Sequence, residues 1–115
     1  MTPAARTAMD LRDILAPQRL TEVVDVGANP IDGDPPYLAM LRAGLCRVTG
    51  FDPQPRALHE LTQAQGPLER YLPWALGDGG VHTLHVCAAP GMTSLLAPDA
   101  QSLALFESLQ PLAEV

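Results

Sequence analysis

The sequence predicts an α/β fold built on a doubly wound parallel sheet, and three observations predict it. A β-branched run ends in a glycine turn in VVDVGANPIDGDPP, residues 23–36. Strand and helix patterns then alternate as far as residue 76. Prolines and glycines, twelve and nine of them, cut the chain into blocks of the length a strand–helix–strand unit needs.

Each element has a local reason. Residues 4–15 lack a strong breaker and set Ala8, Leu11 and Leu15 at helical spacing, which predicts a short lead-in helix ended by Pro17. Glu22 to Val26 reads as the first strand. Asp34 can cap the next helix with Pro35 in its first position, while Tyr37, Leu38, Leu41 and Leu45 share a face and Gly44 ends it. Arg47 to Phe51 is the second strand. Pro55 opens a helix to about residue 65, with Leu58 and Leu61 inward and Gly66-Pro67 as its stop.

Arg70 to Leu76 is the third strand, with Pro73 marking an edge or a bulge. The pattern then changes. HTLHVC, residues 82–87, alternates like a strand returning as a hairpin, and Pro98-Asp99 opens a last helix with Leu103, Phe106 and Leu109 on one side. Residues 1–19 are thus a helical lead-in and residues 20–115 one sheet domain. The pattern supplies only half of a doubly wound sheet, so the chain reads as the N-terminal part of something longer or as a short variant.

Composition narrows the function classes. The net charge is −6, with seven Arg and no Lys, so no basic stripe is present for nucleic acid. No apolar run approaches the roughly 20 residues of a membrane span, and the N-terminus lacks a signal-peptide pattern, so a cytoplasmic protein without membrane attachment is expected. Cys46 and Cys87 sit in apolar runs and read as buried free thiols. His82 and His85 form H-x-x-H, but residues three apart on a strand face opposite ways, so no metal site is expected. His59, between Leu58 and Glu60 on a helix, reads as solvated.

In an open parallel sheet, ligands sit beyond the carboxyl ends of the strands, which directs attention to the loop after the first strand. Gly27 permits a tight turn there, and Gly33 can serve the following helix. A dinucleotide fingerprint would need glycines where Asn29 and Asp32 stand, and a P-loop would need a Lys. Acids stand instead: Asp25 and Asp32 in the turn region, Asp52 ending the second strand, and Asp78 after the third. A carboxylate at the end of the second strand can accept from both hydroxyls of a ribose, and Asp78 could accept from an adenine amino group. Acids at successive strand ends suit a cationic nucleoside without phosphate.

VVDVGANPID, FDPQP, ALGDG and CAAPGMTSLLAPD together resemble the FkbM family of S-adenosylmethionine-dependent methyltransferases over about residues 20 to 106. The resemblance implies a Rossmann-like sheet of the class I methyltransferase type, S-adenosyl-L-methionine as cofactor, and O-methylation of a hydroxyl on a sugar or a secondary metabolite. By position it implies that Asp25, Gly27, Ala28 and Asn29 line the methionine side. Asp52, followed by Pro53, takes the ribose, and Leu76, Gly77 and Asp78 border the adenine.

The same resemblance makes Ser94, in GMTSLL, a substrate-side candidate, against its alternative as a simple turn cap. It names no catalytic base. The turn departs from the family's shorter G-A-N-x-G by Pro30 to Asp32, and the strands that would complete the acceptor pocket are missing from the pattern. Two other readings stay open: a truncated or degenerate cofactor-binding module that transfers nothing, and an NAD-dependent oxidoreductase. Small-molecule or carbohydrate acceptors are the expected partners, together with self-association through an exposed sheet edge.

Overall fold

The computed structural model describes residue 9, residues 11–16 and residues 18–115. Contacts divide the chain into two compact units, one of residues up to Pro30 together with Asp34–Trp74, the other of Ile31–Gly33 with Ala75–Val115.

The first unit is α/β. Its elements are α1 (Leu11–Leu15), β1 (Thr21–Val26), α2 (Leu38–Arg42), β2 (Cys46–Phe51), α3 (Pro55–Ala64) and β3 (Glu69–Leu72). The strands form one parallel sheet in the order β1-β2-β3. β2 lies in the middle and is the most buried strand, with Cys46 and Val48 at 0% exposure. Burial, with Glu69 nearby, pushes the Cys46 thiol above its ordinary range, so it behaves as a small core residue.

Register divides the sheet into two faces. Val23, Asp25, Val48, Gly50, Glu69 and Tyr71 point to the face that α2 and α3 cover. The other carries Val24 and Val26, 63% and 61% exposed, beside Phe51 and the 59% exposed Trp74, whose rings stack at 6.4 Å and 30°. On this second face Arg47 pairs with Glu22 at 3.3 Å, and Arg70 Nε donates to Thr49 Oγ1 at 3.0 Å.

The expected strand–helix alternation therefore forms, with local corrections. α1 covers the end of the 4–15 helix; residues 4–8 and 10 of that expectation, and Pro17, lie outside the described residues. α2 starts three residues late: Tyr37 is its N-cap, and the Pro35 carbonyl accepts from Leu38 N at 3.0 Å. The reason is Pro36, which keeps the residue before it out of the helical region, so Asp34 and Pro35 cannot begin the helix. Gly44 closes α2 as expected, with φ of 68°. β3 stops at Leu72, before Pro73, instead of running to Leu76.

The second unit departs most from expectation. HTLHVC forms no strand and no hairpin, only an isolated antiparallel bridge in which His85 N donates to Ser94 O at 2.8 Å and Ser94 N to His85 O at 3.1 Å. Its alternation has no neighbouring strand to pair with, and period alone does not make a ladder. Single-turn 3-10 helices form at Pro90–Met92 and Pro111–Ala113. Ala88 and Ala89 donate to the carbonyls of Glu114 and Leu112 at 2.8 and 2.9 Å, tying this stretch to the end of the chain. The last helix, α4, spans only Ala100–Leu103, and Phe106 and Leu109 fall beyond it. Cys87 is buried, its N–H donating to Thr93 Oγ1 at 3.1 Å. Among the described residues no helix is long and apolar enough to cross a membrane.

Candidate functional site at the carboxyl end of the sheet

The turn after β1 is fastened to the end of β2 by three successive amides. Gly27 N and Ala28 N both donate to the Phe51 carbonyl, at 2.9 and 3.0 Å, and Asn29 N donates to Asp52 Oδ2 at 3.2 Å. Gly27 makes the bend with φ of 71°, a left-handed conformation that a side chain would strain. Nothing lies within 4 Å of where its Cβ would stand, so that side of the turn is open. A phosphate cradle works by aiming free backbone N–H groups at the anion. Here three of them are already engaged.

Asp52 is 3% exposed. Its Oδ2 takes the Asn29 amide, and its Oδ1 accepts from Gln54 N at 2.9 Å across Pro53, which is half-buried. The acid expected to face a ribose is thus the clamp between the β1 turn and the start of α3. A carboxylate has about four acceptor positions, of which two are filled. Among the described residues the half-buried Asn29 side-chain amide makes no hydrogen bond and is free to meet a ligand.

Asp25 points to the helix-covered face, where it accepts from Tyr37 Oη at 2.5 Å. Burial, reinforced by Asp25, pushes the Tyr37 phenol far above its ordinary range, so it stays a donor. Sequence reasoning took Tyr37 only as part of an apolar helix face and so missed this pair. The signal was present in the tyrosine itself, which must place its hydroxyl when its ring is buried.

The remaining candidates belong to the second unit. Leu76 and Gly77 are exposed, and Asp78 accepts from Gly80 N at 2.8 Å and pairs with His82 Nε2 at 2.7 Å. The His82 contact, and then the Gly80 amide, hold the Asp78 carboxyl below the usual carboxylate range. Ser94 Oγ accepts from Leu96 N at 3.1 Å, the role of a local turn cap. Among the described residues no group of three metal-ligating side chains occurs.

No protein-family model, curated protein or solved structure matches the chain.

Proposed function

We propose that the chain carries the S-adenosylmethionine-binding part of a methyltransferase of the FkbM type, with a doubly wound class I architecture, acting on a hydroxyl of a sugar or secondary metabolite. The observation that carries this reading is the pinned glycine turn. Its N–H groups at residues 27–29 are taken by Phe51 and Asp52, so it offers little to a pyrophosphate, while the Gly27 side of the turn is open and the Asn29 side-chain amide is unbonded. A phosphate-free nucleoside fits those terms better than a dinucleotide does.

In this reading Asn29 contacts the methionine end. Asp52 keeps two acceptor positions for the ribose. Reaching them requires the turn to lift from the carboxylate, because Asp52 is closed to solvent. The bound cofactor supplies a sulfonium methyl for in-line displacement by the acceptor oxygen, so this chain's contribution is positioning. The sheet of three strands, half of a doubly wound one, favours a second reading, a cofactor-binding module that transfers nothing.

Trp74, stacked on Phe51, the residue before Asp52 in sequence, is the natural reporter. Its fluorescence is expected to change saturably with S-adenosylmethionine and with its demethylated product, and not with NADH. An Asp52→Ala chain that stays folded should bind the cofactor about tenfold or more weakly, the loss expected when hydrogen bonds to a charged group are removed. Equal binding by that variant would refute the ribose role. Absence of binding to the parent chain would refute the whole reading, and cofactor binding without methyl transfer to any hydroxyl acceptor would select the module.

A further inference from the structure

The helix-covered face of the sheet carries a polar layer. Asp25, Gly50 and Tyr71 form one row across the three strands, and Val23, Val48 and Glu69 form the row before it. The Tyr71 ring lies over Gly50: a Cβ there would stand 2.5 Å from Tyr71 Cδ1 and 2.6 Å from Cε1. Tyr71 Oη donates to Glu69 Oε1 at 2.9 Å, and Glu69 Oε2 accepts from Gly66 N at 2.7 Å. Tyr37 reaches down from the start of α2 to Asp25. The covered face of a parallel sheet is ordinarily Val, Ile and Leu, and burying polar groups there costs free energy even when they are bonded.

This layer borders a cavity of about 630 Å³ between α2, α3 and the sheet. Its apolar walls include Leu38, Leu41, Leu61 and Leu68, and its polar lining includes Tyr37, Tyr71 and Glu69. The volume lies within the range of small-molecule sites.

Hydrogen-bond capacity decides what can enter. Both phenol protons are already donated to carboxylates, so the phenol oxygens have only acceptor positions left. Asp25 and Glu69 are acceptors as well, and the ion pairs Arg47–Glu22, Arg56–Glu60 and His82–Asp78 involve neither. The cavity's lining also holds Asp34 and two arginines at the carboxyl end of α2, Arg42 in its last turn and Arg12 donating to the Ala43 carbonyl. A ligand for the polar layer must bring donors and positive charge, and the leucines require an apolar body. We propose that this cavity binds a small organic ammonium ion carried on an apolar body, with its ammonium group against Glu69 and the two tyrosine hydroxyls.

The cavity reaches the β1 turn through Ala28 and Pro30, but the ammonium proposal does not require cofactor binding and stands if S-adenosylmethionine does not bind. Its test is a titration of the ¹⁵N-labelled full chain with 2-phenylethylammonium, with neutral 2-phenylethanol and with phenylacetate. The ammonium probe is expected to shift the amides of Tyr37, Leu61 and Tyr71 saturably. The alcohol should bind about tenfold more weakly and the carboxylate not at all, since a charge-assisted contact is lost. Glu69→Gln should weaken the ammonium probe by a similar factor, whereas Arg56→Gln, on the exposed side of α3, should leave it unchanged. Tighter or equal binding of phenylacetate would mean that the arginines define the site and would overturn the proposal. So would ammonium-induced shifts that fail to saturate or that fall on Val24 and Val26. The three-probe comparison uses the unaltered chain, so its outcome does not depend on whether Glu69→Gln folds.

Discussion

Gly50 and Gly27 are small for different reasons, and the difference predicts different behaviour on substitution. At Gly27 the backbone is left-handed and the space around it is open, so a side chain would strain only the turn. Gly50 has ordinary strand geometry, and its missing side chain is the room occupied by the Tyr71 ring, with Ala28 Cβ 3.0 Å from where a Cβ would stand. Gly50→Ala must push a tyrosine that is itself held by Glu69. The expected cost is about 1–3 kcal/mol, the usual range for overpacking, read as a lower urea midpoint with an unchanged slope. An unchanged midpoint would show that the ring is not held where the structure puts it. The sequence offers no sign of this arrangement, because the residue that needs the space stands 21 positions from the glycine that provides it.

At the scale of elements, α4 shows a short helix fixed by one side chain. Asp99 accepts from Gln101 N at 3.0 Å and from Ser102 Oγ at 2.7 Å, and the Ser102 bond followed by the Gln101 bond lowers its carboxyl below the usual range. A carboxyl whose folded-state pKa is depressed stabilises the fold above its unfolded pKa, and that contribution is lost as pH falls through the folded value. In an NMR titration, the Gln101 amide should therefore move with a midpoint below that of an ordinary aspartate, and Asp99→Asn should abolish that movement. A midpoint at or above the ordinary aspartate value would contradict the capping geometry.

The Pro98-Asp99 signal was readable because a cap is a local device. β1, β2 and α3 were readable for a similar reason, each having a β-branched run or a proline at its start. Asp34-Pro35 misled because Pro36 vetoes the position before it. HTLHVC misled because a strand needs a partner that its own residues do not encode.

At the scale of the whole molecule, the two faces of the three-stranded sheet are unlike. α2 and α3 cover one; the other presents Val24, Val26 and Trp74 to solvent, and β1 and β3 are edge strands. β1, TEVVDV, has no Lys or Pro to blunt its edge. Apolar exposure next to an open edge predicts self-association. Light scattering should show a mass above that of a 12.3 kDa monomer at micromolar concentration, and Val24→Thr with Val26→Lys should lower it. A monodisperse monomer in the parent chain would count against that prediction.

Sequence alone determined the alternation of strand and helix in the first unit, the glycine at the β1 turn, the burial of both cysteines and the absence of glycines for a dinucleotide. All of these follow from period, backbone permissiveness or residue polarity, which act within a few positions along the chain. Tertiary structure alone decided that Asp52 clamps the turn instead of standing open to solvent, that Asp25 faces Tyr37, and that Tyr71 lies across Gly50 beside a cavity. Those outcomes depend on parallel register, which brings together residues more than ten positions apart, and no local pattern records which of two available partners a carboxylate will take.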